Sequence, residues 1–170
     1  MIKVRVVKTT LAMVSLCWLG ACAKSAPAPG KVVAIENVCN EADAARLRVT
    51  GHLRYPRGLM SFCSSYGGKK TCDLALYATA DKPADFNIMR PRTGPEPVQA
   101  KLSVPVGDDP GQMNELPEKF SASDVVLHLQ NKGQAGDGTR VTIDGRLSVV
   151  PGATNTPKSC FVNVEWASAG

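Results

Sequence analysis

Two stretches of the chain alternate between apolar and polar residues at every position, and a period of two restricts the backbone to an extended, half-buried run. Arg46 to Tyr55 sets Leu47, Val49, Gly51, Leu53 and Tyr55 on one side and Arg46, Arg48, Thr50, His52 and Arg54 on the other. Arg140 to Val149 sets Val141, Ile143, Gly145, Leu147 and Val149 against Arg140, Thr142, Asp144, Arg146 and Ser148. Each predicts a strand with one face on a core. The two share the frame R-[LV]-x-[VI]-x-G-x-L, but nothing else recurs at a fixed period, so the chain is not a repeat of domains. A glycine in the middle of a long strand predicts a bend or bulge, the device that lets a sheet curl and close.

The rest of the chain is punctuated in the same sense. Fifteen Gly and 12 Pro among 170 residues favour short elements joined by turns, and the length suits one domain. Further strands are predicted over Cys72 to Thr79, Asp124 to Gln130 and Cys160 to Trp166. Val98 to Val106 adds an edge strand, because Pro105 cannot donate to a ladder from a central position. One short helix is predicted around Gln112 to Lys119. Asn131 to Gly138 reads as a turn; its glycines do not follow a strand and open a helix, which excludes a phosphate loop.

Residues 1–21 carry Lys3, Arg5 and Lys8, then the apolar run Leu11 to Leu19, then small residues. This is the layout of an export signal. The run is too short for a spanning helix, which needs roughly 20 apolar residues. Leu19-Gly20-Ala21-Cys22 resembles the lipobox of bacterial lipoproteins, although Gly20 is not the residue most usual there. The resemblance implies that Cys22 is lipidated and becomes the first residue after cleavage. Ala23 in place of Asp then implies the outer membrane over the inner one. Acyl chains, palmitate among them, contribute about 0.8 kcal/mol of membrane affinity per buried CH₂. Cleavage after Ala23, reading Ala21-Cys22-Ala23 as an A-x-A site, is the alternative and would discard Cys22. The division expected is a signal peptide at 1–21, a lipidated Cys22 with a flexible linker at 22–33, and a β-domain at 34–170. Lys24 to Gly30 has the small, Pro-rich composition of a tether.

Loss of the leader leaves 17 basic residues against 15 acidic ones, a net charge near +2. That balance argues against a dedicated nucleic-acid binder. With Cys17 lost in the leader and Cys22 lipidated, four cysteines remain, Cys39, Cys63, Cys72 and Cys160, and an even number in an oxidising compartment predicts two disulfides. Of three connectivities we favour Cys63 with Cys72, around a reversal at Gly67-Gly68, and Cys39 with Cys160. Zinc is the alternative, disfavoured by the lack of C-x₂₋₄-C spacing, with only His52 and His128 to complete a site. C-x-x-C, the redox signature, is absent.

Five strands, a hairpin loop after the first, and the stretch G-D-G-x-R-V-x-I-x-G-x-L from Gly136 to Leu147 resemble an oligonucleotide/oligosaccharide-binding (OB) barrel. The resemblance covers Ala34 to Trp166 and implies a mainly β fold, a small barrel of five to six strands. It departs from the family in lacking a helix between the third and fourth strands. The alternative is an immunoglobulin-like β-sandwich, which needs about seven strands. In an OB barrel the outward face of strands two and three, with the loops after strands one and four, forms the ligand groove. By that resemblance Arg57, Tyr66, Lys69 and Lys70 flank a groove, as do Asn155 and Lys158. Guanidinium and ammonium groups suit phosphates, carboxylates or acidic sugars, and Tyr66 offers a ring for stacking. Arginines on an outward face also simply keep it soluble and discourage edge pairing.

Catalytic chemistry is scarce. No G-x-S-x-G elbow occurs, His52 and His128 read as surface or partly packed, and Glu115 with Glu118 reads as a solvated helix face. No catalytic residue, metal or cofactor is expected, and the chain is not expected to be an enzyme. The expectation is a lipid-anchored, periplasm-facing binding or assembly module of the cell envelope. Its partner would be an envelope protein or an anionic envelope polymer, with nucleic acid unlikely on the charge balance. The alternative is a structural accessory lipoprotein that stabilises a larger membrane complex through a barrel edge.

Overall fold

The computed structural model describes residues 25–55, 63–80, 99–152 and 159–170. Nine strands form among them: β1 (Lys31–Val32), β2 (Arg46–Arg54), β3 (Cys63–Tyr66), β4 (Lys69–Tyr77), β5 (Gln99–Pro105), β6 (Leu127–His128), β7 (Gln134–Ala135), β8 (Arg140–Val150) and β9 (Ser159–Ala169). Short 3₁₀ turns lie at Ile35–Asn40, Ala122–Asp124 and Gln130–Lys132.

Seven strands make one mixed sheet in the order β1-β2-β8-β9-β5-β4-β3, and a further pairing of β2 with β4 joins the sheet to itself. The cycle β2-β8-β9-β5-β4-β2 is antiparallel at every step except β5 with β9. β6 and β7 pair separately. The two alternating segments are neighbours: β2 and β8 run antiparallel with Leu47 opposite Gly145 and Gly51 opposite Val141. Their apolar positions Leu47, Val49, Leu53, Val141, Ile143 and Leu147 are all buried, as a period of two requires.

Both central glycines have a steric reason. A Cβ on Gly51 would come within 2.6 Å of Ile35 Cδ1 and 2.8 Å of the Tyr77 carbonyl oxygen, at the point where β4 closes on β2. A Cβ on Gly145 would overlap the carbonyl oxygen of Asn163. There the β8–β9 register shifts: Asp144 faces Trp166 but Gly145 faces Val164, so Glu165 is an extra, bulged residue.

Three expected elements turn out differently. No helix forms at Gln112 to Lys119. Met113 is instead drawn into extended bridges with Val106 and Leu127 and is fully buried, while Pro117 denies a helix its backbone donor. The strand expected over Asp124 to Gln130 shrinks to Leu127–His128, because Asn131 and Lys132 adopt left-handed φ of 60° and 61° and turn the chain back into β7. Thus the Asn131 to Gly138 turn itself contains Gln134–Ala135 as a strand. β5 is interior, paired with β4 along its length and with β9 at Leu102–Ser103. Pro105 is accommodated because the β9 ladder stops at Ser103 and leaves no donor to be missed.

The sheet also begins inside the stretch read as linker. Lys31–Val32 pair in parallel with Leu47–Arg48, and the Gly30 N–H donates to Asp144 Oδ1 at 2.9 Å.

Both disulfides join the pairs favoured from sequence. Cys39–Cys160 closes a separation of 121 residues and Cys63–Cys72 one of 9. In the chain-entropy treatment these stabilise by about 5 and about 2.5 kcal/mol respectively. Cys72 and Cys160 are buried in the core that Leu74, Leu76, Leu102, Val104 and Val162 build, so the staples are continuous with the packing. Met113, Val125, Leu127, Leu129 and Ala135 bring the β5–β8 connection into that same core.

Candidate functional site

The outward side chains of β2, β8 and β9 form a ladder in which Arg46, Arg48 and Arg146 each meet a counter-ion, while Arg140 at the start of β8 stays exposed. Arg46 and Arg146 face one another across strands, an arrangement that is repulsive alone. The bulged Glu165 lies between them, with Oε2 2.7 Å from Arg46 Nη2 and Oε1 accepting from Arg146 Nε at 2.9 Å. One step along, Arg48 grips Asp144. Its Nη2 donates to Oδ2 at 2.6 Å, and Nε lies 3.0 and 3.1 Å from the two oxygens. Hydrogen bonding to Asp144 holds the Arg48 guanidinium above its ordinary value. Thr50 and Thr142 hydrogen-bond at 2.8 Å, and the His52 Nδ1 contacts the Gly138 carbonyl at 3.2 Å.

Arg54 and Asp144 differ from the sequence reading, which set both on a solvated face. They are 7% and 2% exposed. Arg54 lies where β2 pairs with β4 and reaches Asp137 and the Ala80 carbonyl, while the Asp137 Oδ1 accepts from the Tyr55 N–H at 3.3 Å. A buried guanidinium with these partners ties three chain segments together and is not offered to a ligand.

The β3–β4 hairpin is arranged otherwise. Cys63 faces Cys72, Ser64 faces Thr71, Ser65 faces Lys70 and Tyr66 faces Lys69, leaving Gly67 and Gly68 as a two-residue turn with φ of 56° and 75°. Positive φ at both positions is the geometry that matches strand twist, and glycine adopts it without strain. Tyr66 is 92% exposed at the tip. Lys69 beside it is exposed and makes no ion pair among the described residues. Lys70 points to the other face and pairs with Glu115 at 3.2 Å. Of the ligand-contacting residues expected from sequence, Tyr66, Lys69 and Lys70 therefore share this hairpin. Arg57, Asn155, Lys158 and the lipidation candidate Cys22 lie outside the described residues.

Sequence reasoning missed the counter-ions Asp144, Glu165 and Asp137. A signal existed for Asp144: aligning the two matched frames antiparallel, core glycine against core leucine, sets it opposite Arg48. Glu165 carried none, because its position depends on the bulge.

Two other carboxylates are perturbed. Partial desolvation raises Asp73 on β4, although its side chain keeps contact with solvent, and Lys101 opposes the effect. Asp124 is held low by the Ser121 backbone N–H and hydroxyl, which it binds at 2.6 and 2.8 Å to cap its turn. Among the described residues no group of three or more His, Cys, Asp or Glu is placed to hold a metal ion, and all four cysteines are oxidised. The His128 Nε2 is 3.9 Å from Asp108, too far for a hydrogen bond.

No protein-family description matches this chain, and no curated protein is significantly similar to it in sequence.

Proposed function

We propose that the chain is an exported binding or assembly module, lipid-anchored through Cys22, that faces the periplasm from the outer membrane, and that it works without catalysis. The observation that carries the reading is a contrast. Arg46, Arg48 and Arg146 of the sheet face are matched internally, whereas the tip of the β3–β4 hairpin sets an exposed ring, Tyr66, beside an exposed cation, Lys69, on a rigid, disulfide-braced support. A backbone braced in this way loses little entropy on binding. The two disulfides support an oxidising compartment.

The five-strand cycle supports an OB-like barrel as the scaffold. A sandwich keeps two sheets apart, and the β2–β4 and β5–β9 pairings join what would be its halves. In place of the family's helix between strands three and four, the irregular β5–β8 connection fills the core with Met113 and Leu127.

The test is photo-crosslinking in the cell that makes the protein, with a benzophenone side chain in place of Tyr66 or, as a control, of the exposed Arg140. The reading expects a discrete adduct from position 66, none from 140, and loss of membrane association in Cys22→Ala. Equal adducts from both positions, or none, would refute the contact surface. A wild-type protein that is unlipidated and soluble would refute the anchor.

A further inference from the structure

β3 ends the sheet, and no described residue pairs with its outer edge. The turn fixes which backbone groups point that way. A two-residue turn is closed by a hydrogen-bonded pair, here Tyr66 with Lys69, and the pairs then alternate open and bonded away from the tip. Ser64 and Tyr66 accordingly direct their N–H and C=O groups to β4, while Cys63 and Ser65 direct theirs outward. The neighbouring strand agrees: Lys70, opposite Ser65, gives its carbonyl to the Val106 N–H at 3.0 Å on the far side of β4.

An open edge is an aggregation hazard, and proteins blunt it with proline, bulges, inward charges or extreme shortness. The other end of the sheet follows this rule, since β1 is two residues long and carries Lys31. β3 does not. Ser64, Ser65 and Tyr66 are exposed, the strand holds neither proline nor charge nor register shift, and the Cys63–Cys72 bridge keeps it extended against β4. The cations nearby are unequally matched. Lys70 has Glu115, and Lys69 beside Tyr66 has no counter-ion among the described residues.

We infer that the β3 edge accepts an extended segment of a partner protein as an added strand, with an acidic residue of that segment meeting Lys69. The inference deepens the reading of the hairpin as the contact element and rests on it. Backbone groups of Cys63 and Ser65 supply the hydrogen bonds, Tyr66 covers the partner's side chains on the outer face, and Lys69 sets the register by charge. A polysaccharide or lipid headgroup also satisfies Lys69. Neither offers amide N–H and C=O groups at the two-residue strand spacing that Cys63 and Ser65 repeat.

The experiment uses the full-length chain with benzophenone at position 66, in the cell that makes it, alone and combined with Ser65→Pro or Lys69→Glu. Proline at 65 removes only an outward N–H, so the hairpin bonds to β4 remain, and recovery of the Cys63–Cys72 peptide without reductant verifies this. A protein adduct mapping to an extended acidic segment, reduced about tenfold by either substitution, supports the inference. A protein adduct indifferent to Ser65→Pro overturns strand addition and leaves the contact reading standing. An adduct only to glycan or lipid also overturns strand addition, and no adduct at all overturns the contact reading with it.

Discussion

Replacing Arg48 with Met should destabilise the protein more than replacing Asp144 with Asn, although both break the same ion pair. The reason is unequal burial: Asp144 is 2% exposed, whereas the Arg48 side chain keeps 37% exposure. In Arg48→Met the carboxylate stays buried with the Gly30 N–H at 2.9 Å as its remaining donor. Stranding a buried charge in this way costs about 3–5 kcal/mol. In Asp144→Asn the guanidinium turns to water and the amide oxygen still serves Gly30, so the loss is about 1–2 kcal/mol. The double variant Arg48→Met with Asp144→Leu leaves no buried charge, only the Gly30 N–H without its acceptor, and should be more stable than Arg48→Met alone. At roughly 3–4 °C per kcal/mol for a domain of this size, the single variants should differ by about 10 °C in Tm. Urea unfolding at pH 7 with both disulfides oxidised measures all three. Equal losses from the two single variants, or a double variant carrying the sum of both, would refute the reasoning.

Three further outcomes follow from the same structure. Removing Cys39–Cys160 by paired alanines should cost about 5 kcal/mol and removing Cys63–Cys72 about 2.5 kcal/mol, measured as shifts in urea midpoint; the reverse ranking would contradict the loop-closure account. Gly145→Ala should cost about 3 kcal/mol because the added methyl overlaps backbone at the bulge, while Gly136→Ala, with nothing within 4 Å, should change stability by less than about 0.5 kcal/mol. Asp73 has a raised folded-state pKa, so its protonated form favours the fold and that advantage is lost as pH rises through the folded value. Asp73→Asn should therefore raise Tm slightly at pH 7, with the gain shrinking to nothing as the pH falls below the unfolded carboxylate value of about 3.9; a gain that persists at pH 3 would show that desolvation of the charge is not its cause.

What the sequence made legible was whatever depends on local period. β2 and β8 could be read residue by residue because alternation and burial are the same statement, and the Gly67-Gly68 turn announced a hairpin whose cysteines had to meet. Elements set by distant partners could not be read this way. Pro105 argued for an edge, but whether β5 is an edge depends on where β9 stops, and that is decided by a strand more than fifty residues further along. Glu115 and Glu118 have helical spacing, yet burial of Met113 outweighs that local preference. Arg46, Arg48 and Arg146 looked like a basic surface because their counter-ions come from other strands. Asp144 is recognisable once β2 and β8 are known to pair, and Glu165 only once the bulge is known. The hairpin tip was legible as a candidate site because it is local, and what distinguishes it, an exposed ring and an exposed cation side by side on an edge strand, emerges only when the strand order and the charge ladder are assembled.

Hydroxyl-radical footprinting tests the central claim most directly, comparing the purified full-length protein with the same protein inside intact cells. Tyr66 should be oxidised readily in the purified sample and protected in cells, while Phe120, 38% exposed on a separate segment, should react alike in both. Equal oxidation of Tyr66 in the two samples would contradict the assignment of the β3–β4 hairpin as the surface that meets a partner.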